Sequence, residues 1–561
     1  MRRGILAVMP RKRIVALTLA ALSFGAAPAF AQSLNEPALI VQSVVSGLEQ
    51  PTSMAFLGPD DILVLQKADG RVRRVTGGVL QAAPVLDVAV DSLSERGLLG
   101  IAVDPDFAVT RHVYLYYTES STPLDTTGEA NPLGNRIYQY DWDGSALVNP
   151  ALILDLPWST GPNHDGGVIA FGPDGFLYAV IGDLNRSGKL QNIPLGPDPD
   201  DTGVILRIDT NGLGAPDNPF YTPAEPAARM SRYFAYGVRN SFGLAFDART
   251  GDLWDTENGP NSYDEVNRVI PGFNSGWNRI MGPDSRDPQG IGDLWVAPGS
   301  IYRDPEFSWF IPVAPTALVF PESPIVGCAL QHELLVGDSN CGQIYRFKLN
   351  AARDALALSS APLVDRVMDN ATNRCLDEVG EIAFGQSFGS VTDLENGPDG
   401  MIYVVSITTG RIFRIAPRPG FFPDADGDGA DDACDCAAGD AGAYAAPGEI
   451  PRQRLLGAAP HTVFWDSRTG AFGPGTTTTI VSGLAGGLRA SGGYAGACDL
   501  AVGVAGTSFV DPRAAPPVGE AYYYLVRAQN SCGQGTFGDG TPVPDPRDEL
   551  DTGTRPSCGS P

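Results

Sequence analysis

Beyond residue 31 the chain lacks any long apolar run. Nothing there approaches the roughly 20 uninterrupted apolar residues a spanning helix needs, which excludes a helical membrane protein. Histidine is scarce, with four residues in 561, and no Cys-x-x-Cys pair occurs, which together argue against zinc. Cations are outnumbered, 39 Lys and Arg against 65 Asp and Glu, and the formal charge of -26 repels nucleic acid and anionic lipid. No Gly-x-Ser-x-Gly segment is present, so a hydrolase built on that nucleophile turn is disfavoured. Helical periodicity is almost absent as well, and what replaces it is β-rich.

The N-terminus carries Arg2, Arg3, Arg11, Lys12 and Arg13, an apolar run from Ile14 to Ala27, and then Ala29-Phe30-Ala31. This pattern predicts a secretory signal peptide over 1–31, cut after Ala31, and hence a secreted or periplasmic protein. Eight cysteines in an exported chain suggest disulfides. Three lie in the body (Cys328, Cys341, Cys375) and five in the tail (Cys434, Cys436, Cys498, Cys532, Cys558). One body cysteine is therefore either free or paired outside its group, and the spacing does not choose a pairing.

One unit recurs: an apolar strand, a Gly-Pro-Asp-Gly type turn, and a second β-rich strand. The clearest copies are Val168 to Gly175 before Phe176–Val180, and Leu394 to Gly400 before Met401–Val405. Others run from Ser53 to Asp60 before Ile62–Leu65, and from Leu99 to Asp106 before Val113–Tyr116. Weaker ones are Gly243–Asp247 before Gly251–Trp254, and Leu330-Gln331-His332 before Glu333–Val336. Pro and Gly preset the turn angles, and the β-branched and aromatic flanks suit half-buried strands. Six hairpins at wide intervals predict an all-β, six-bladed β-propeller over residues 32–417.

After Pro417 the composition turns acidic and Gly-rich. Asp424, Asp426, Asp428, Asp432 and Asp435 fall at positions 1, 3, 5, 9 and 12 of a loop with Gly429 at position 6. That spacing offers calcium its oxygens and its sharp turn, and residues 418–450 resemble a thrombospondin type 3 calcium-binding linker; an acidic solvated linker is the plainer alternative. Strand-like segments over 451–538 predict a small C-terminal β-sandwich of fibronectin-III type. Residues 539–561 read as a flexible tail.

Several segments, in order, resemble the glucose/sorbosone dehydrogenase family over most of 40–416. They are Glu95-Arg96-Gly97-Leu98-Leu99-Gly100, Asn163-His164-Asp165-Gly166-Gly167, Tyr236-Gly237-Val238-Arg239-Asn240, Glu257-Asn258-Gly259-Pro260, Asp264-Glu265-Val266-Asn267 and Asn274-Ser275-Gly276-Trp277. The resemblance implies a soluble quinoprotein with pyrroloquinoline quinone (PQQ) and calcium in the central depression, oxidising an aldose and passing electrons to an external acceptor. It implies that His164 is the general base, since an imidazole titrates near operating pH. It places Arg239 and Asn240 at the quinone oxygens, and the carbonyls of Gly259 and Pro260 on calcium as Lewis acid. Without the family, His164 reads as a loop residue, Arg239-Asn240 as a sheet-edge cap and Gly259-Pro260 as a plain turn.

The family's cations for a tricarboxylate align with neutral residues here, namely Asn340, Ser390 and Thr392, and its glutamine aligns with Glu95. Arg136, Lys189, Arg279, Arg374 and Arg411 are the cations on other loops that could compensate. Two readings follow. One is a PQQ-dependent aldose dehydrogenase with a rearranged pocket that keeps Glu95, His164, Arg239, Asn240, Asn340 and Thr392 around the cofactor. The other is a non-redox extracellular propeller that binds a carbohydrate or a protein, as the related hedgehog-interacting protein does. Oligomeric state is not legible.

Overall fold

The computed structural model describes residues 31–128, 131–450, 453–456, 460–538, 545–552 and 554–559. The expected signal peptide therefore lies outside the described residues, save for Ala31. The fold is almost wholly β, and no described helix exceeds the seven residues of Ala485–Ser491. None is long and apolar enough to cross a membrane.

Six sheets follow one another between Ser33 and Pro417. Their innermost strands are Pro51–Gly58, Leu98–Val103, Ile169–Phe171, Ser241–Phe246, Pro315–Val319 and Val391–Asn396. Each of these packs against the next, and the sixth packs against the first, so the sheets close into a ring. Closure is sealed in the last sheet, where the early strand Leu39–Ser46 pairs antiparallel with Arg411–Pro417, Leu39 opposite Pro417. Such a ring leaves no long bare edge between its first and last elements.

The recurring turn has a specific chemistry. Asp174 accepts from Phe176 N at 3.1 Å, Tyr178 OH at 2.8 Å and Arg207 Nε at 2.8 Å. Asp399 repeats this with Met401 N at 3.1 Å, Tyr403 OH at 2.9 Å and Arg414 Nη1 at 3.1 Å. The turn aspartate thus ties the hairpin to its own third strand. The closing glycines, Gly175 and Gly400, sit at φ +83° and +77°, where a side chain is strained.

The fifth hairpin differs from expectation. Its inner strand is Pro315–Val319, paired with Leu334–Asp338, whereas Leu330-Gln331-His332 belongs to the long connection between them. That connection carries the 3-10 turn Pro324–Val326 and Cys328, which is bonded to Cys434. The inserted turn separates the two halves of the hairpin in sequence.

Beyond Pro417, strands Gln453–Leu456, Thr462–Trp465 and Ser508–Val510 form one sheet. Strands Cys498–Val504, Thr477–Leu484, Tyr522–Asn530 and Gly533–Gln534 form another. Val463 and Trp465 of the first share a buried cluster with Ile480, Val526 and Ala528 of the second. Arg454 bridges this part to the ring, pairing with Asp106 and, at 3.0 Å, with Asp466. All eight cysteines are paired: Cys328–Cys434, Cys341–Cys375, Cys436–Cys532 and Cys498–Cys558.

The segment expected to be a loose tail is held over its described residues. Leu550 is buried with Phe537, Arg555 Nε donates to Asp499 at 2.7 Å, and Cys558 is bonded to Cys498. Its polar composition hid one apolar anchor and one staple.

Candidate functional site

The loops opposite the Gly-Pro-Asp-Gly turns gather at one end of the ring. His164 precedes the strand Ile169–Phe171, and Asp183 follows Leu177–Ile181. Arg239 and Asn240 lead into Ser241–Phe246, Glu95 leads toward Leu98–Val103, and Gly259 follows Leu253–Glu257. Gly182 lets three of these backbones meet: a Cβ there would lie 2.4 Å from His164 O and 2.6 Å from Arg239 O. Any side chain at 182 would push the His164 loop away from the Arg239 loop.

His164 is 7% exposed and takes a left-handed φ of +65°, a conformation a non-glycine residue holds only when its surroundings impose it. Its Nδ1 lies 2.5 Å from Asp183 Oδ1. A carboxylate can only accept, so Nδ1 carries the proton in this contact. Asp183 is itself fixed, accepting from Trp277 Nε1 at 2.6 Å and from Asn185 N at 2.7 Å. The imidazole is thus held in one orientation by a buried acid.

Arg239 stacks over Trp277, its guanidinium carbon 5.2 Å from the ring centre. Its Nη1 donates to the carbonyls of Asn258 at 2.7 Å and Gly259 at 3.1 Å. Burial lowers the proton affinity of the guanidinium, against the pull of Asp183, Glu257, Glu95 and Asp264. Glu95 Oε2 accepts from His164 N at 2.6 Å and Asn240 Nδ2 at 2.9 Å, tying three loops together. Several buried polar atoms here have no partner: Arg239 Nε, Asn240 Oδ1, Asn258 Oδ1 and Asp165 Oδ2. Buried polar groups are rarely left unmet, so this wall fits a polar ligand rich in hydrogen-bonding groups.

The structure thus brings Glu95, His164, Arg239, Asn240 and Gly259 into one hydrogen-bonded group. It leaves Asn340 and Thr392 out of it, for Asn340 Nδ2 donates to Pro312 O at 3.2 Å and Thr392 Oγ1 to Pro51 O at 3.0 Å. Ser390 Oγ likewise donates to Ser339 O at 2.9 Å. Gly259 O, expected on calcium, already accepts from a guanidinium, whereas the Pro260 carbonyl accepts no hydrogen bond among the described residues. Sequence reading missed Asp183, which lies 19 positions from His164, and its only signal was a Gly-Asp pair ending an apolar strand. It also missed Lys67, whose Nζ donates to Ser94 O at 2.7 Å beside Glu95. Burial lowers the Lys67 ammonium's proton affinity, while Asp165, Glu95 and Asp91 oppose that shift.

In the acidic loop, carboxylate oxygens of Asp424, Asp426 and Asp428 lie within 4.8 Å of one another. Asp426 Oδ2 and Asp428 Oδ2 are buried without a partner. Burial raises the Asp428 carboxyl, reinforced by Asp426, Asp435 and Asp424. Asp432 Oδ1 is engaged by Ala425 N at 2.9 Å and Asp435 Oδ1 by Ala437 N at 2.7 Å.

The glucose/sorbosone dehydrogenase family model matches residues 48–414. Aldose sugar dehydrogenase YliI of Escherichia coli (strain K12) is 26% identical over 387 residues, covering 67% of this chain and 93% of that protein. Quinoprotein glucose dehydrogenase B of Acinetobacter calcoaceticus is 31% identical over 259 residues, 43% of this chain and 52% of its own length. A solved structure from Thermus thermophilus, described as a putative oxidoreductase (glucose dehydrogenase), superposes with a TM-score of 0.51 at 29% identity, covering 67% of this chain and 99% of that one.

Proposed function

The chain belongs to the glucose/sorbosone dehydrogenase family, and on that premise we propose that it oxidises an aldose to its lactone with PQQ as cofactor. The observation that carries this reading is the buried His164–Asp183 pair joined to Arg239 and Asn240, through the Asp183 N to Arg239 O hydrogen bond and through Glu95, which accepts from both His164 N and Asn240 Nδ2. PQQ, when bound, supplies a two-electron acceptor for hydride.

The chain's own residues do the rest. His164 Nε2 takes the proton of the anomeric hydroxyl, and Asp183 stabilises the imidazolium so formed. Arg239 Nε and Asn240 are the groups that would hold the quinone edge. Trp277 keeps the guanidinium flat, and the burial of these groups excludes water from the charges that develop. Calcium at Gly259 and Pro260 fits the donor set only with Arg239 withdrawn from the Gly259 carbonyl.

On the same reading, the six sheets are the blades of a six-bladed propeller and the two C-terminal sheets a β-sandwich. The segment 418–450 is a calcium-stiffened joint, with Asp424, Asp426, Asp428, Asp432 and Asp435 as ligands. Four disulfides suit an extracytoplasmic location. The electrons leave to an external acceptor.

The test is reconstitution of the purified apoprotein with PQQ and calcium, following dye reduction over a panel of aldoses. Turnover of at least one aldose is expected. His164→Ala should lose about two to four powers of ten in kcat while still binding cofactor. Arg239→Ala should weaken cofactor binding or the quinone step. If wild type neither binds cofactor nor reduces dye, the recognition-module alternative takes its place.

A further inference from the structure

His164 sits in a segment, residues 157–165, that has neither helix nor strand, and yet its backbone is set at a left-handed φ of +65°. A non-glycine residue keeps that conformation only where its surroundings over-determine it. Glu95, which takes the His164 N–H, supplies one restraint. Others come from the next residue along, Arg96, which is wholly buried.

Arg96 reaches that segment on both sides of His164. Its Nη2 donates to the carbonyls of Trp158 at 2.9 Å and Gly161 at 3.4 Å, and its guanidinium carbon lies over the Trp158 ring, 5.4 Å from the centre. Its Nε pairs at 3.8 Å with Oδ1 of Asp165, the residue that follows His164. Its Nη1 donates to Asp91 Oδ1 at 3.4 Å. Asn135 closes the neck of the same segment, its Nδ2 donating to Pro157 O at 3.0 Å and to Asp165 Oδ1 at 2.9 Å. Tyr116 OH donates to Asp165 O at 2.9 Å. Burial pushes the Asp165 carboxyl up to about 6, against the pull of Asn135 and Arg96. Arg96, Asp91, Asn135 and Asp165 are all 0% exposed, so these contacts act where no water competes.

We infer that Arg96 is a positioning residue for His164: by holding the chain before and after the histidine, it aims the imidazole at Asp183. The inference rests on the dehydrogenase reading above for its effect on rate, and on geometry alone for its effect on the ring. A planar fork with separate N–H groups serves Trp158, Gly161, Asp91 and Asp165 at once, whereas a lysine ammonium is a single point charge on a flexible stem. Arg96→Lys therefore keeps the charge that Asp91 and Asp165 face and loses the grip on the segment.

Proton NMR of the full apoprotein, isotope-labelled at histidine, reads the ring without turnover. The His164 Nδ1 proton, hydrogen-bonded to Asp183, should give a far-downfield signal that His164→Ala removes. Arg96→Lys should lose that signal, and Asp165→Asn should weaken it. With PQQ and calcium at saturation, kcat of Arg96→Lys should fall about a hundredfold, as for a misplaced catalytic group, with KM for the aldose within a few-fold of wild type. Arg207→Lys controls for lost stability: Arg207 pairs with Asp174 and Asp217 at the opposite end of the ring, so this variant should melt lower yet keep the His164 signal and kcat. If Arg96→Lys keeps both the signal and the wild-type kcat, the positioning role is wrong and the dehydrogenase reading stands. The role is also wrong if wild type lacks the signal, or if Arg207→Lys loses it equally. Should Arg96→Lys not fold, Asp165→Asn decides by the same signal. If wild type shows the signal, Arg96→Lys loses it and wild type oxidises no aldose, the dehydrogenase reading falls and the positioning role stands.

Discussion

His164 Nδ1 and Asp183 Oδ1 stand 2.5 Å apart because the two residues flank the open end of one antiparallel hairpin, His164 before its first strand and Asp183 after its second. The hairpin itself, Ile169–Phe171 with Leu177–Ile181, is buried and rigid, so the pair is set by the sheet. The second oxygen of Asp183 is taken by Trp277, which also carries Arg239 on its face. Imidazole, carboxylate and guanidinium therefore share one support, and a change at Asp183 acts on the imidazole directly.

Asp183→Asn follows from this. An asparagine can present its amide N–H to Nδ1, which stabilises the tautomer with the proton on Nε2 and removes the free lone pair. The expected outcome is a loss of about two to four powers of ten in kcat, with cofactor affinity within a few-fold of wild type. Single-turnover dye reduction beside a fluorescence titration separates the two quantities. A full loss of cofactor binding would show that Asp183 supports the pocket as a whole.

Glu95 adds a negative charge to a pocket expected to hold an anion. Its oxygen accepts from His164 N and Asn240 Nδ2, and a glutamine oxygen can accept both. Glu95→Gln should therefore keep the geometry, remove the repulsion and tighten PQQ binding by about tenfold. Weaker binding would mean that the carboxylate's hold on the loops matters more than its charge.

Stability should depend on pH through buried acids. Asp255 is fully buried, and burial pushes its carboxyl up to about 7 against the opposing pull of Asn267 and Ser241. A carboxyl whose folded value lies above its unfolded one binds more protons when folded, so its ionisation destabilises the fold as pH rises between about 4 and 7. The melting temperature should rise as pH falls from 8 toward 6. Asp255→Asn, neutral at every pH, should flatten that rise, and an identical profile in the variant would remove Asp255 from the account.

Much of the ring was legible because its clearest hairpins announce themselves with Pro and Gly at fixed places and with an aspartate, Asp174 or Asp399, that ties the hairpin down. The fifth was misplaced because the connection carrying Cys328 separates its strands, and a local pattern cannot see across an insertion. The site was legible only in part. His164, Arg239 and Asn240 sit in recognisable runs, whereas Asp183 and Lys67 act through space and have no run of their own. Trp277 was within a matched run, but its role as the support of both Asp183 and Arg239 emerges only in three dimensions. The tail was misread because Leu550 and Cys558 are two anchors in an otherwise polar stretch.

The joint between ring and C-terminal sheets offers the last prediction. Asp435 lies between two half-cystines that lead in opposite directions: Cys434 is bonded to Cys328 of the ring, and Cys436 to Cys532 beyond it. If calcium holds Asp424, Asp426 and Asp428 together, chelation leaves three clustered carboxylates to repel one another, and the stretch before Cys434 opens. Limited proteolysis should then cut between Asp424 and Asp432 much faster with chelator than with calcium. The nicked chain should stay in one piece without reductant, since Cys328–Cys434 spans the cut, and should separate into two fragments once reduced. Cys328→Ser/Cys434→Ser should release the fragments without reductant. It should also loosen the joint even with calcium, because a staple closing 106 residues of chain contributes roughly 4 to 5 kcal/mol when loop-closure entropy dominates. Equal cleavage with and without chelator in the wild-type chain would show that the aspartates form a solvated linker, and that Cys328–Cys434 and the Arg454–Asp106 pair hold the joint without calcium.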